Sequence, residues 1–307
     1  LLYTVLALTN LGSPVAPQKA WVSAEVEDEV LVDLGESRSF YVLYYPGIHW
    51  NDWLFTLSVG EDTQQMTSTP ADVKPGTCFA WKYQNTQQAG SDPNKFTGIH
   101  TEHTGRYVKL TAGNIGLTLF EMKFMDSKTG EFITPTLLSG MGEGLFDEQD
   151  TLRGEPSWYD SMYFDEIYHA RTAYEQLNAL RGLEPSSIYE TTHPPLGKVL
   201  MTLSISIFGM TPFGWRLAGA LAGALMLPGM YLMGRLFTKR RHAALLSMLF
   251  MAFDCMHFAQ TRIATIDSFV TLFIIWATYY MFKYVLMDYC NTPFKKTLVP
   301  LGLSGMF

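Results

Sequence analysis

The sequence changes character near residue 196. Residues 13–190 are polar and mixed in composition, whereas residues 196–307 are mostly apolar. A soluble unit joined to a membrane unit accounts for this division better than a single globular core does. The formal net charge of −7 lies largely in the first part. This acidic balance argues against nucleic acid as a partner.

The three cysteines, Cys78, Cys255 and Cys290, are scattered along the sequence, and their spacing fits neither a disulfide framework nor a metal site. Both ends of the sequence lie inside apolar runs, at 1–11 and 298–307. A membrane span needs about 20 apolar residues. Residues 1–12 are therefore interpreted as the end of a first transmembrane helix, with a buried strand or a signal remnant as alternatives. We expect the chain to be a fragment of a longer protein.

Residues 17–135 show the pattern of an all-β domain. Short runs rich in β-branched and aromatic residues are separated by clusters of Gly, Pro, Asn and Asp. The predicted strands are 30–34, 40–45, 53–59, 79–83, 106–111 and 117–124. Many short strands with regular turn signals predict a β sandwich or a jelly roll.

Four stretches of this segment resemble a discoidin-type (coagulation factor type C) jelly roll. They are LVDLG at 31–35, Trp53, GRYVKL at 105–110 and LFEMKF at 119–124. The resemblance implies binding of sugars or lipid headgroups at the loop tips, for which His49, Trp50 and Trp53 are the proposed residues. Core packing is the alternative role for the two tryptophans.

Residues 136–162 contain several glycines and Pro156 among acidic residues, which predicts a linker or long loop. From Tyr163 an apolar stripe at helical spacing predicts a helix, which should end near Gly182 because Pro185 lies just beyond. Asp165 and Glu166 fall in its first turn, where the helix dipole favours negative charge. They either cap a surface helix or form a reaction centre.

The run HPPLGK at 193–198 leads into the apolar part. Proline is disfavoured inside a helix but can begin one, so an apolar helix is predicted over 196–210, ending at the Thr211–Pro212 break. The transmembrane helices are predicted at about 214–237, 243–258 and 263–287, with an incomplete one at 297–307.

Two basic clusters, at 239–241 and 295–296, should be cytoplasmic by the positive-inside rule. Counting spans from them places residues 13–213 outside the cytoplasm. The helix over 196–210 must then lie on the outer surface of the bilayer as an interfacial or re-entrant segment. The predicted localisation is the cell membrane, as a multi-pass protein.

Ionisable residues at a membrane are functional candidates. Arg216 lies at the outer end of one predicted span, and Arg262 and Asp267 lie at the start of another. Snorkelling arginines and a buried Arg262–Asp267 pair are the simpler interpretations. A carboxylate pair together with His193, Lys198 and two arginines would instead suit an anionic lipid phosphate and an incoming hydroxyl.

The order of motifs resembles the protein O-mannosyltransferases, which use polyprenyl-phosphate-mannose and belong to the membrane glycosyltransferase C (GT-C) class. The motifs are YFDEIYHARTAYE at 163–175, HPPLGK at 193–198, GWRL at 214–217, and FD at 253–254 followed by QTRIATIDS at 260–268. The discoidin-like insertion and the lead-in FDEQD at 146–150 are similar to bacterial members. The implied fold class is multi-domain: an all-β discoidin-like jelly roll inserted into an α-helical multi-pass membrane GT-C glycosyltransferase.

The resemblance implies a division of roles among these residues. Asp165 would be the general base toward a Ser or Thr hydroxyl, and Glu166 would position the acceptor or assist Asp165. The donor phosphate would be bound by four residues: Arg216, Arg262, His193 and Lys198. Asp267 would orient Arg262. Independently of the resemblance, the four-residue spacing on a helix allows a charge-assisted contact between His169 and Asp165.

The expected partners are polyprenyl-phosphate-mannose, a protein acceptor with Ser or Thr, and membrane lipid. No cofactor and no metal are predicted. A transferase acting on a lipid acceptor is one alternative, but Lys usually replaces His before the two prolines in such enzymes. A membrane-anchored sugar-binding protein, in which the β-domain does the work, is the other.

Overall fold

The computed structural model describes residues 1–48, 53–73, 78–84, 100–183 and 188–307. The chain divides into two compact units. The β unit comprises Gly12–Arg171 and Met210–Pro212, and the helical unit comprises Leu1–Leu11, Thr172–Gly209 and Phe213–Phe307. The main boundary, between Arg171 and Thr172, precedes the change of character near residue 196, and the domain boundaries predicted at 135/136 and 213/214 do not coincide with it.

An antiparallel sheet forms the β unit. Among the described residues its strands are β1 (Trp21–Val22), β2 (Glu29–Pro46), β3 (Trp53–Gly60), β4 (Thr67–Val73), β5 (Lys82–Tyr83), β6 (Glu102–Ala112), β7 (Thr118–Asp126), β8 (Phe132–Ile133) and β9 (Thr136–Ser139). Their order is β1-β7-β2-β6-β3-β4, with β5 and β9 also paired to β2 and β8 to β7. The predicted all-β character of this segment is confirmed.

Strand β2 organises the sheet because it pairs with β5, β6, β7 and β9. Its first part, 29–33, pairs with β6, and a register shift separates Asp33 from Arg38. Its last part, 40–46, pairs with β7. The core on this strand consists of apolar side chains that are at most 4 % exposed: Val30, Val32, Leu34, Phe40, Val42 and Tyr44.

The predicted strand at 79–83 is largely wrong. Only its last two residues, which form β5, are a strand, because Phe79 adopts a left-handed backbone with φ 49°. The loop-tip residues His49 and Trp50, and the side chain of Trp53, lie outside the described residues. The discoidin-like assignment therefore stays a prediction.

The segment 136–162 is not a linker. It contains β9 and two 3-10 helices, Glu143–Leu145 and Gln149–Thr151. Leu145 is fully buried in the core of the β unit. The buried Lys123 donates hydrogen bonds to the carbonyls of Gln149 and Leu152. These contacts fix the segment to the sheet, which composition alone could not show.

Over the described ranges the helices are α1 (Leu2–Leu8), α2 (Glu166–Leu180), α3 (Leu196–Phe208), α4 (Pro212–Thr238), α5 (Arg241–Ala252), α6 (Cys255–Gln260), α7 (Asp267–Val285) and α8 (Phe294–Met306). The boundary between the units falls inside α2, between Arg171 and Thr172. Gly182, two residues beyond α2, has φ +72°, the left-handed conformation typical of a helix end. Pro195 is the N-cap of α3, which confirms that the His-Pro-Pro run begins a helix.

Within the part of the chain that the structure describes, two helices, α4 and α7, are long and apolar enough to cross a membrane. The predicted span at 243–258 is wrong as a single helix. It is interrupted at Asp254, whose side chain accepts a hydrogen bond from the N–H of Met256 at 2.9 Å and so caps α6. Helix α5 has 12 residues and is therefore about 18 Å long, shorter than the roughly 30 Å hydrocarbon core.

Candidate active site

The acidic pair lies at the start of α2, where its two members differ in environment. Glu166 is 0 % exposed, and its Oε2 accepts a hydrogen bond from the N–H of Tyr163 at 3.1 Å. A carboxylate that reaches back to an N–H three residues earlier satisfies a donor at the helix start, as in a capping box. Asp165 precedes the first helical residue and is half-buried. Glu166 therefore shapes the turn, while Asp165 is partly open to solvent.

The turn before the helix is held in an uncommon conformation. Phe164 has φ 55°, a left-handed value that is rare for a bulky residue and persists only where the surroundings impose it. The N–H of Met162 donates to the carbonyl of Phe79 at 3.0 Å. The Oγ of Ser161 accepts from the N–H of Trp81 at 3.0 Å. These bonds anchor the chain within the β unit just before the acidic pair.

His169 lies one helical turn after Asp165 and is buried, at 4 % exposure. Its backbone N–H donates to the carbonyl of Asp165 at 3.1 Å. These two residues are therefore linked by a helical hydrogen bond of the backbone. The predicted contact between their side chains stays a prediction.

In the helical unit, the HPPLGK run places a glycine at a close contact between helices. A Cβ on Gly197 would lie 2.9 Å from Cδ2 of Phe269 and 3.4 Å from Cγ2 of Ile266. A larger residue would push the first turn of α3 away from the start of α7. This motif residue therefore has a packing role of its own.

Lys198 is engaged by a carboxylate. Its side chain is 2 % exposed, and Nζ donates to the carbonyl of Glu190 at 2.9 Å and to the Glu190 carboxylate. A lysine neutralised in this way is a poor ligand for a phosphate. The predicted phosphate-binding role of Lys198 therefore gains no support from its position.

Glu190 was missed by the sequence reasoning. One of its carboxylate oxygens accepts from the N–H groups of Thr192 at 2.6 Å and His193 at 3.1 Å, and lies 3.0 Å from Nδ1 of His193. Burial raises the pKa of the Glu190 carboxyl, but hydrogen bonds from Lys198, Thr192 and His193 outweigh it and hold the pKa well below its usual range. In the sequence, Glu190 is marked only by its position three residues before His193, in a segment that shows no hydrophobic periodicity.

Arg216 and Arg262 both donate to the chain that follows α1. Nη2 of Arg262 lies 2.6 Å from the carbonyl oxygen of Thr9 and 2.8 Å from that of Asn10. Nη1 of Arg216 donates to the carbonyl of Leu11 at 3.2 Å. The sequence predicted neither contact, because more than 200 residues separate the partners.

The two guanidinium groups also affect each other. Burial lowers the pKa of Arg262, and the positive charge of Arg216 lowers it further. The Nε of Arg262 is buried without a hydrogen-bond partner among the described residues. An anion that accepted this bond would satisfy the donor and relieve the repulsion.

Asp267 does not form an ion pair with Arg262 in the part of the chain that the structure describes. It is exposed, at the first residue of α7, and Arg262 uses the carbonyls of Thr9 and Asn10 instead. An acidic residue at this position interacts favourably with the helix dipole, which accounts for Asp267 without the predicted orienting role.

Three carboxylates in the β unit, on Glu121, Asp147 and Glu148, lie close enough to hold a metal ion. Glu121 accepts from the N–H of Glu148 at 2.9 Å, and Asp147 pairs with Lys19 at 2.8 Å. These contacts explain the cluster without an ion. The sequence predicted no metal site and left the need for a divalent metal open, and the cluster does not change that.

Residues 192–292 match the family model described as dolichyl-phosphate-mannose-protein mannosyltransferase. The chain is similar to curated proteins named polyprenol-phosphate-mannose–protein mannosyltransferase. One from Mycobacterium tuberculosis is 32 % identical over 113 residues, which cover 36 % of this chain and 22 % of that protein. One from Mycolicibacterium smegmatis is 28 % identical over 123 residues, covering 40 % and 24 %. One from Corynebacterium glutamicum is 25 % identical over 126 residues, covering 39 % and 24 %.

The chain spans less than a quarter of the length of these relatives. No solved structure matches it. The segment that matches the family model lies within the helical unit, apart from 210–212, and contains His193, Arg216 and Arg262. The similarity to protein mannosyltransferases is therefore carried by this segment.

Proposed function

We propose that the chain is part of a membrane enzyme that transfers mannose from polyprenyl-phosphate-mannose to Ser or Thr hydroxyls of exported proteins. The observation that carries the proposal is the match of residues 192–292 to the mannosyltransferase family model. That segment contains the two arginines whose sequence context first suggested a phosphate site. The β unit lies outside the matched residues, apart from 210–212, so its ligand is left open.

Asp165 is the proposed general base. Its carboxylate takes the proton from the acceptor hydroxyl as the oxygen attacks the anomeric carbon of mannose, and polyprenyl phosphate leaves with inversion. A base must be reachable by its substrate, and Asp165 is half-buried whereas Glu166 is fully buried. Glu166 then acts by holding the turn through Tyr163.

Arg216 and Arg262 are the proposed ligands of the leaving phosphate, with His193 as a further one. Negative charge develops on the phosphate as the bond to mannose breaks, and guanidinium groups stabilise such charge. The buried Nε of Arg262 and the lowered pKa of this residue support an anion at this place. The carbonyl contacts of both arginines would pre-organise the guanidinium groups for it.

The proposed enzyme is a multi-pass membrane protein with residues 13–213 outside the cytoplasm. The length and apolar character of α4 and α7 support membrane insertion. Helix α3 supports an interfacial position, because its exposed face is apolar: Leu196, Val199, Leu203, Ile207 and Phe208. A helix of 13 residues with one such face suits the bilayer surface.

The test is an assay of the full-length protein in membranes with labelled polyprenyl-phosphate-mannose and a Ser/Thr peptide. We expect label on the peptide, and none on a matched peptide in which Ala replaces every Ser and Thr. Label found only in the lipid fraction would indicate a lipid acceptor. Binding of mannose without any transfer would indicate a sugar-binding protein, and either result would overturn the proposal.

A further inference from the structure

The carboxylate of Glu190 joins two parts of the HPPLGK region within the helical unit. The carboxylate accepts a hydrogen bond from Lys198 in the first turn of α3. It also contacts His193, accepting from the backbone N–H at 3.1 Å and lying 3.0 Å from Nδ1. Glu190 itself is largely enclosed, with a side chain that is 10 % exposed.

The contacts with Lys198 attach the loop that carries Glu190 to helix α3. Nζ of Lys198 donates to the backbone carbonyl of Glu190 at 2.9 Å as well as to its carboxylate. The loop is also held by Thr192, whose N–H donates to the same carboxylate at 2.6 Å. The contact with the His193 ring adds little to the attachment of the loop, and its main effect is on the ring.

A carboxylate beside Nδ1 fixes how an imidazole is used. The two ring nitrogens point to opposite sides, so a partner at Nδ1 sets both the rotation of the ring and the direction of Nε2. The hydroxyl of Thr192, 3.2 Å from Nδ1, lies on the same side of the ring as the carboxylate. The side chain of His193 is 50 % exposed, whereas that of Lys198 is 2 % exposed. Unlike Lys198, His193 is therefore accessible to a substrate.

We propose that Glu190 is a positioning residue that orients the His193 ring for the transfer reaction, with its carboxylate held by the N–H groups of Thr192 and His193 as well as by Lys198. This inference rests on the proposed function, because the benefit of an oriented His193 is measured as mannosyl transfer. Glu190 does not touch the substrate in this proposal. Its effect on the reaction passes through His193.

The orientation can be tested without activity. Histidines of the full-length protein in detergent are modified with diethylpyrocarbonate, and the rate at each site is followed by mass spectrometry. In Glu190→Gln the charged partner that holds and covers Nδ1 is lost, and we expect His193 to react several-fold faster. The exposed His242 is the internal reference, and its rate should not change. An unchanged rate at His193 would overturn the proposal, whether or not the protein transfers mannose.

A double-mutant cycle tests the consequence for transfer. We expect Glu190→Gln and His193→Gln each to lower kcat about tenfold, by analogy with the roughly 10–100-fold loss on removing the outer partner of a metal-bound histidine. The double variant should be no slower than the slower single variant, because both changes remove the same oriented ring. Multiplicative losses would show that Glu190 acts independently of His193, which contradicts the proposal.

Loss of the carboxylate leaves Lys198 buried without its charged partner, so Glu190→Gln requires a control for folding. The pair Lys198→Met and Lys198→Met/Glu190→Gln supplies it, because neither variant carries the buried ammonium. We expect faster modification of His193 only in the second of the two. If His193 reacted equally fast in both variants, the faster reaction in Glu190→Gln would be due to the unpaired lysine. The role assigned to Glu190 would then be wrong. If the parental protein transfers no mannose, the proposed function is contradicted. The modification rates of His193 then decide by themselves whether Glu190 orients the ring.

Discussion

Nη2 of Arg262 lies 2.6 Å from the carbonyl oxygen of Thr9, the residue that caps the C-terminal end of α1. The same nitrogen is 2.8 Å from the carbonyl oxygen of Asn10, and Arg216 donates to the next carbonyl, that of Leu11. Unpaired carbonyls at a helix end carry partial negative charge and favour cations. The arginines therefore hold the end of α1 as well as being the proposed phosphate ligands, and their substitution should affect both stability and donor use.

Replacing Arg262 by Ala should lower the free energy of unfolding by about 1–3 kcal/mol, because hydrogen bonds from a charged donor to two carbonyls are lost. It should also lower kcat/KM for polyprenyl-phosphate-mannose by at least about tenfold, or about 1.4 kcal/mol. Thermal unfolding in detergent and transfer kinetics measure the two effects. Arg240→Ala is the control, because Arg240 is exposed between α4 and α5. Parental kinetics in Arg262→Ala would exclude Arg262 from the phosphate site.

Asp165→Asn should lower turnover by about 10² or more if Asp165 is the base, because the amide cannot accept the hydroxyl proton. Since Asp165 is half-buried and precedes the helix, the protein should fold normally. Transfer to a Ser/Thr peptide in membranes is the measurement. Asp150→Asn, at an exposed acidic residue, is expected to keep parental activity. Equal rates for the parental protein and Asp165→Asn would refute the assignment.

Glu166 should behave differently from its neighbour. Glu166→Ala leaves the N–H of Tyr163 without its acceptor and should destabilise the fold by about 1–3 kcal/mol. Glu166→Gln keeps an acceptor oxygen and should cost less. The measurement is the unfolding midpoint of each variant in detergent. If Glu166→Ala were as stable as the parental protein, the hydrogen bond to Tyr163 would have no structural importance.

Local sequence patterns predicted the elements that depend on near neighbours. The start of α3 at the His-Pro-Pro run follows from proline chemistry, and strands β6 and β7 follow from their β-branched and aromatic composition. The break at Asp254 was missed because its neighbours are apolar, and the cap depends on one side-chain hydrogen bond. A hydropathy pattern does not register such a bond.

The candidate site could be predicted only in part, for the same reason. Asp165, Glu166 and His193 were selected from motifs, but the motifs could not separate a buried Glu166 from a half-buried Asp165. The role of Glu190 depends on a turn that brings it to Lys198, eight residues away. The arginine contacts at 9–11 depend on packing between elements that are distant in sequence. Tertiary geometry decides these properties.

The stability of the β unit should depend on pH through Glu121. Burial raises the pKa of this carboxyl to about 8. A carboxyl whose pKa is raised in the folded state favours folding below its unfolded pKa, and this contribution is lost as the pH rises through the folded pKa. We therefore expect the thermal unfolding midpoint of the β unit to fall between about pH 5 and pH 8. Lys123, whose burial lowers its pKa to about 8, remains protonated over most of this range.

Glu121→Gln removes the titrating group and retains an acceptor for the N–H of Glu148. The decline of the unfolding midpoint over this pH range should become shallower in this variant. Glu131→Gln is the matched control, because Glu131 is exposed. If the unfolding midpoints of the parental protein and Glu121→Gln fell equally with pH, groups other than Glu121 would cause the decline.

The native cysteines provide a test of the proposed topology. Cys255 at the start of α6 and Cys290 beyond α7 are both exposed, whereas Cys78 is buried. Helix α7 has 19 residues and is about 28 Å long, close to the thickness of the hydrocarbon core. If α7 crosses the membrane with the basic cluster at 295–296 inside, a membrane-impermeant maleimide should label Cys255 on intact cells. Cys290 should react only after permeabilisation, and Cys255→Ser should abolish the first signal. Labelling of both cysteines from the same side would exclude α7 as a span, and with it the position assigned to residues 13–213.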